Sequence, residues 1–213
     1  MTRGRVVAVV LGALLALTAA FVLGRVSVGP VTPTPTTDSA AAGFLRDMQV
    51  HHAQAVEMAL LVRDRTDDPT VRQIAYDIAV SQASQAGSMY GLLDAWSLSQ
   101  RSPQPPMTWT ELPVIDGSDG GGHQMDPAAP GGMPGIATPA QIDDLEAASG
   151  DDAVRVFLTL MIAHHEGGVE MADAVLARTD VPQVVSLATG IRTAQQAEIT
   201  AMQDLLDQLP PAG

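Results

Sequence analysis

The segment Phe44–Asp94 recurs as Phe157–Asp207, without gaps and at a constant offset of 113 residues. The stretch FLRDMQVHHAQAVEMA aligns with FLTLMIAHHEGGVEMA, and nine of the 16 positions are identical. Over the next 35 positions 13 more agree, among them Arg65, Thr66, Asp67 and Pro69 with Arg178, Thr179, Asp180 and Pro182. Chance does not produce such agreement. The chain contains a duplicated unit.

The spacing inside the unit predicts a helical hairpin. Phe44, Met48, His51, Ala55, Met58 and Val62 fall at 4-3-4-3-4 intervals, the seam of a packed helix, and Phe157, Met161, His164, Gly168, Met171 and Val175 repeat it. Arg-Thr-Asp interrupts the pattern, and Pro69 or Pro182 suits the first turn of the next helix. Second seams follow: Val71, Ala75, Ile78, Gln82, Gln85, Met89 and Leu92, matched by Val184, Ala188, Ile191, Gln195, Glu198, Met202 and Leu205. Composition agrees, because 46% of residues are hydrophobic but only 3% are aromatic, which favours aliphatic helix packing over an aromatic-rich sandwich.

Between the repeats, residues 97–150 are rich in Pro and Gly as far as Pro139, and GSDGGGHQMDPAAPGGMPG cannot form a stable helix. Thr138-Pro139 followed by QIDDLE reads as a short capped helix. The expected fold is therefore all-α: two duplicated hairpins joined by one long crossover, a ferritin-like four-helix bundle over residues 40–209.

Arg3 and Arg5 precede an uncharged run from Val6 to Leu23, continued past Arg25 by Val26, Ser27 and Val28. This predicts a signal anchor over residues 1–28 that spans the cytoplasmic membrane once and leaves the remainder outside the cell. The alternative is a signal peptide cleaved near Thr18-Ala19-Ala20, giving a secreted protein. GPVTPTPTTDS, residues 29–39, is a semi-rigid spacer. Beyond Arg25 the chain has eight Arg against 24 acidic residues, a balance of −16. Such a surface disfavours nucleic acid. No cysteine occurs, which excludes disulfides, thiolate catalysis and Cys-based zinc sites.

The chemistry is expected at mid-helix. Counting outward from the turn near Asp67, His51 faces Gln82 and Met48 faces Gln85, while His164 faces Gln195 and Met161 faces Glu198. Burying so many polar groups at one level is costly unless they find partners. Met48 and Met161 each stand three residues before a His, which puts thioether and imidazole one turn apart on one face. Imidazole with thioether, without thiolate, suits copper, above all Cu(I), and by softness Ag(I). A di-iron centre wants Glu-x-x-His pairs, which are absent, and Glu198 is the only carboxylate on a seam. Met58 and Met171 lie two turns from the His pairs and suit packing. Glu57 and Glu170 fall off the seam. His123, Met107, Met125 and Met133 in the linker are candidates for an auxiliary copper site.

The two signatures, together with the lead-in MPGIATPAQIDDLEAASGDDAVRVF, closely resemble the exported bacterial domain-of-unknown-function family 305. The likeness covers about residues 40–209 and rests on HH-x4-E-M-A occurring twice. It implies a ferritin-like bundle and, for some members, copper binding and tolerance outside the cytoplasm. By motif it implies His51, His52, His164 and His165 with Met48, Met58, Met161 and Met171, and the ending Gln195, Glu198, Met202. Gln85 stands where the first repeat would carry the Glu, and Ile136 where a lead-in Met is common.

The leading expectation is an anchored extracytoplasmic protein that sequesters Cu(I) or hands it to a partner protein, with no catalytic constellation. One rival is a metal-free interaction module, in which Gln82, Gln195 and Glu198 satisfy the histidines. The other is a ferritin-like metallo-oxidase. If the two hairpin bends lie at opposite ends, the His pairs meet at one central site. If they lie at the same end, two sites result.

Overall fold

The computed structural model describes residues 34–117 and 132–210. The chain divides after Thr34 into two units, and everything below belongs to the second. The expected anchor, most of the spacer, and His123 and Met125 lie outside the described residues. No helix among the described residues is long and apolar enough to cross a membrane.

Among the described residues every regular element is helical. The elements are α1 (Ala40–Arg63), α2 (Pro69–Ala95), a 3-10 turn (Thr108–Glu111), α3 (Pro139–Ala147), α4 (Gly150–Leu176) and α5 (Pro182–Asp207). Their starts are fixed by local chemistry. The Ser39 hydroxyl accepts from Ala42 N, and the Asp68 carboxylate accepts from Thr70 N and Val71 N. Thr138 and Gln141 form a reciprocal capping box on α3, so the short helix foreseen there is present. Pro69 and Pro182 open α2 and α5, where a missing N–H costs nothing.

The repeated Arg-Thr-Asp bend has a structural task. Thr66 and Thr179 are buried, and their hydroxyls accept from Asp68 N and Val181 N. Arg65 Nε donates to the Glu146 carbonyl, and Arg178 Nε donates to that of Leu112. Backbone bonds reinforce both corners: Gly150 N to Arg65 O, and Ile115 N to Ala177 O. Each bend is thus clasped by the linker at equivalent points.

α1 packs along α2, α4 along α5, and the two hairpins meet through α1 and α4. Two apolar cores show the direction of that meeting. One gathers Phe44, Leu45 and Met48 with Leu93, Met171 and Ile191; the other gathers Met58, Val62 and Ile78 with Phe157, Met161 and Met202. The start of α1 therefore lies beside the end of α4, and the two bends sit at opposite ends. Each large side chain fully buried here stabilises the fold by about 1.5–3 kcal/mol.

The described parts of the linker pack against the bundle despite their Pro/Gly content. Met107 and Trp109 are 3% exposed and Met133 is 5% exposed, all within the first core. This corrects the expectation of a flexible copper site on Met107 and Met133: their thioethers fill the apolar core. The anchor of this segment is Asp47, a buried carboxylate on α1 that accepts from Met107 N at 2.6 Å and from Trp109 Nε1 at 2.8 Å. Burial raises its pKa, against the pull of those two donors. Neighbouring Arg46 is also buried and donates to the carbonyls of Ser99 and Thr37.

Candidate metal centre

Between the two cores lies a polar layer. His51, His52, His164 and His165 are all fully buried. His51 and His164 meet across the α1–α4 interface with ring centroids 3.8 Å apart, tilted by 35°. His52 lies 6.5 Å from His51, and His165 lies 6.3 Å from His164. Opposite bends thus bring both His pairs to one central layer. The reason is helical geometry: adjacent residues point about 100° apart, so one member of each doublet faces the other hairpin and the second faces its own.

Every Nε2 finds an oxygen. His51 Nε2 donates to the Pro134 carbonyl at 3.1 Å, and His164 Nε2 to the His51 carbonyl at 3.0 Å. His52 Nε2 meets Gln85 Oε1 at 2.7 Å, and His165 Nε2 meets Glu198 Oε2 at 2.7 Å. With the proton held on Nε2, each Nδ1 keeps its lone pair, and all four Nδ1 atoms are buried without a hydrogen-bond partner. Burial also keeps His51, His52 and His164 neutral. It pushes His51 down to about 3 and His52 down to about 4, and holds His164 well below the ordinary imidazole range. Neutral imidazoles with an engaged Nε2–H and a bare Nδ1 are the protonation state and outer-shell support that metal-ligating histidines require.

The remaining candidates fall around this layer. Met48 and Met171 lie in the first core, Met58 and Met161 in the second, and all four are fully buried. Gln82 and Gln195 are buried at 2% exposure, and both ends of each amide lack a partner. They do not satisfy the histidines; Gln85 and Glu198 do. Glu57 is exposed, in keeping with its place off the seam. Among the described residues, no three His, Asp or Glu side chains already form a metal-binding cluster. What fits a metal here is the donor chemistry: four buried, unpartnered Nδ1 atoms with thioethers one helical turn away.

One part of the centre was not foreseen. The stretch Met133–Ala137 crosses the layer as a strap. Gln54 holds it like a strand partner, donating from Nε2 to Ala137 O at 2.9 Å and accepting from Ala137 N at 2.8 Å. Its approach to α4 is so close that a Cβ on Gly167 would overlap the Pro134 carbonyl. Gly135, at φ +75°, abuts the Ala163 carbonyl, which excludes any side chain there. The signal was present in the sequence. Gly167-Gly168 interrupts a helix where the first repeat has Gln54-Ala55, and adjacent helical glycines mark a close backbone approach.

Over the described residues these features define a helical protein built from one hairpin used twice, enclosing four buried imidazoles between two methionine-containing cores. The family model for the domain of unknown function DUF305 matches residues 41–206, and the chain belongs to that family. A DUF305 protein from Streptomyces coelicolor, described as secreted, is 46% identical, with 81% of this chain and 95% of that one covered at a TM-score of 0.71. A DUF305 fragment from Deinococcus radiodurans is 30% identical, covering 84% of this chain and all of that one (100%) at a TM-score of 0.63. CopM in its Cu(I)-bound form is 22% identical, covering 79% and 96% at a TM-score of 0.56, a likeness of fold alone. Among curated proteins, the uncharacterized protein L153 of Acanthamoeba polyphaga mimivirus is 34% identical over 58 residues. That match spans 27% of this chain and 38% of L153.

Proposed function

We propose that this protein is an extracytoplasmic, membrane-anchored copper-binding protein with a ferritin-like bundle, which sequesters Cu(I) or passes it on. The observation that carries this reading is the set of four buried imidazoles whose Nδ1 atoms have no partner. Left alone, such groups cost about 1–3 kcal/mol each, and a bound cation would satisfy them. His51, His52, His164 and His165 would supply nitrogen, with Met48 and Met161 as thioether donors. Met58 and Met171 serve the cores, and Glu198 orients His165 through its Nε2–H. Cu(I) accepts few, soft donors, so it suits paired imidazole and thioether better than zinc does. Bound copper would contribute charge and Lewis acidity; the chain's own residues set its access and its donors. The solution of CopM in Cu(I)- and Cu(II)-bound forms is in keeping with this reading. Extracytoplasmic placement is supported by the N-terminal sequence and by the secreted description of the Streptomyces relative.

On this reading the role is binding, and Glu198 serves it as the partner of His165. The metal-free reading required Gln82, Gln195 and Glu198 to satisfy the histidines; Glu198 does meet His165, but both amides are unpartnered. The test is titration with Cu(I) against a competing chelator. Replacing all four histidines by Gln should abolish tight binding, and Met48→Leu with Met161→Leu should weaken it. Unchanged affinity in the four-histidine variant would overturn the proposal.

A further inference from the structure

The duplication supplies an internal control for the outer surface of the molecule. Val50, Leu60, Tyr76, Val80 and Tyr90 are 48–59% exposed, and all five lie on the first hairpin. Their counterparts in the second are Ala163, Asp173, Thr189, Thr193 and Gln203. The same backbone therefore carries an apolar outer face on one hairpin and a polar one on the other. On α2 the outer residues Tyr76, Val80, Ala83, Gly87 and Tyr90 are all exposed and follow 4-3-4-3 spacing, a second seam opposite the buried one. The matching α5 positions read Thr189, Thr193, Gln196, Thr200 and Gln203.

Across the hairpins the contrast is one of charge as well. In the second, Asp173 pairs with Arg192 at 3.0 Å, and Asp173, Thr193, Gln196 and Thr200 line a single groove. In the first, Leu60 and Ala79 replace that ion pair, with Val80, Ala83 and Gly87 at the corresponding groove positions. α4 continues its stripe with Glu166 and Glu170, whereas α1 has Ala53 and Glu57.

We propose that the outer face of α1 and α2 is a self-association surface, occupied by the same face of a second copy of this chain. Area is the first argument. Leu60, Tyr76, Val80 and Tyr90, the half-exposed side chains that share this face, present roughly 450 Å² of mainly apolar surface. A standard interface covers about 800 Å² per partner, of which some 56–65% is apolar, or about 450–520 Å². Shape is the second. The stripe runs about 21 Å along α2 with Leu60 of α1 beside it, the length over which two hairpins pack side by side. Small residues at Ala83 and Gly87 allow close approach at its centre. Charge is the third. A chain carrying −16 beyond Arg25 repels its own copies over most of its surface, and the apolar face is where like-charged molecules can meet. A basic partner would be drawn instead to the acidic stripe of the second hairpin. A two-fold contact needs only this one patch.

The chain has no cysteine, so single substitutions report proximity directly. In the full chain, at least one of Val80→Cys, Ala83→Cys and Gly87→Cys should form a disulfide-linked dimer rapidly. The repeat-matched Thr193→Cys, Gln196→Cys and Thr200→Cys should not. A companion variant, Leu60→Asp with Tyr76→Thr, Val80→Thr and Tyr90→Gln, copies residues that the second hairpin already tolerates. It should keep its helical circular dichroism while its mass by light scattering falls from dimer to monomer. The proposal is overturned if the first three cysteines link no faster than the second three. It is equally overturned if they link to a different protein, or if the unaltered chain stays monomeric to about 100 μM.

Discussion

Acidification should unfold the metal-free protein well above the pH at which carboxylates titrate, because its polar layer is built from neutral imidazoles. The sign follows from the direction of the shifts. An unfolded histidine takes up a proton near pH 6.5. His51 does so in the fold at about 3 and His52 at about 4, with His164 far below its ordinary value. Above about pH 6.5 both states are neutral and nothing is lost. Below it the unfolded chain binds protons that the folded one refuses, and each imidazole removes roughly 1.4 kcal/mol of stability per pH unit down to its folded pKa. Three of them give a limiting slope of about 4 kcal/mol per unit, and a loss of about 6 kcal/mol by pH 5. That approaches the whole stability of a typical domain, about 5–15 kcal/mol. Two terms act the other way. Asp47, with its raised pKa, gains stability as pH falls towards the unfolded carboxylate value, and protonation of the acidic surface relieves self-repulsion. Both belong to carboxylates, and one buried Asp does not match three imidazoles. The assay is urea unfolding followed by far-ultraviolet circular dichroism, with a chelator present, at about pH 7, 6 and 5. The double variant His51→Gln, His164→Gln should flatten the slope by about two-thirds. A midpoint that does not move between neutrality and about pH 5, or an unchanged slope in the double variant, would show that the layer is not neutral and closed as described.

Other outcomes follow from single contacts. Asp47→Ala leaves Met107 N and Trp109 Nε1 buried without an acceptor and should cost about 2–5 kcal/mol in urea unfolding; a loss under about 1 kcal/mol would mean that water reaches the site. Gly135→Ala forces a Cβ into the Ala163 carbonyl at positive φ and should destabilise by about 1–3 kcal/mol, with hydrogen exchange quickening at Ala137. Glu198→Gln makes the second His pair resemble the first and should weaken copper binding about tenfold, while Gln85→Glu should strengthen it; equal affinities across the three proteins would remove the role given to Glu198.

Much of this architecture could be read from spacing alone. The 4-3 seams located all four long helices, and the prolines and capping residues placed their starts, because these are local effects of periodicity and hydrogen bonding. Whether the bends lie at the same end was open, since a linker of over 50 residues spans either arrangement; the packing of Met48 with Met171 settles it. The facing levels were right in outline but wrong in partner. His51 was set against Gln82, whereas His52 is the residue that reaches across its own hairpin, to Gln85. One turn of error arises because a doublet spans about 100° of helix surface and a one-dimensional count treats it as one position. The strap and the Asp47–Trp109 clamp were out of reach for another reason. They depend on a long-range path of irregular backbone, for which only Gly167-Gly168 left a trace.

The duplicated unit cannot give two equal halves. The strap between the repeats crosses the histidine layer once and places the Pro134 carbonyl on His51, so His164 has to find its acceptor in the carbonyl of His51. The outer pair then differs in kind: His165 donates to a carboxylate and His52 meets an amide. For a metal-ligating imidazole a carboxylate partner is the stronger outer support, so under the copper-binding proposal the layer would have a stronger and a weaker side while its backbone symmetry is kept. The residues common to both repeats are those that build the scaffold and the four rings, namely the seam, the bend and the His doublets. The differences lie where each ring is supported and where each hairpin meets its surroundings. Duplication made the enclosure, and divergence at Gln85/Glu198, at Gln54/Gly167 and on the outer face made its two halves differ in contacts and in surface.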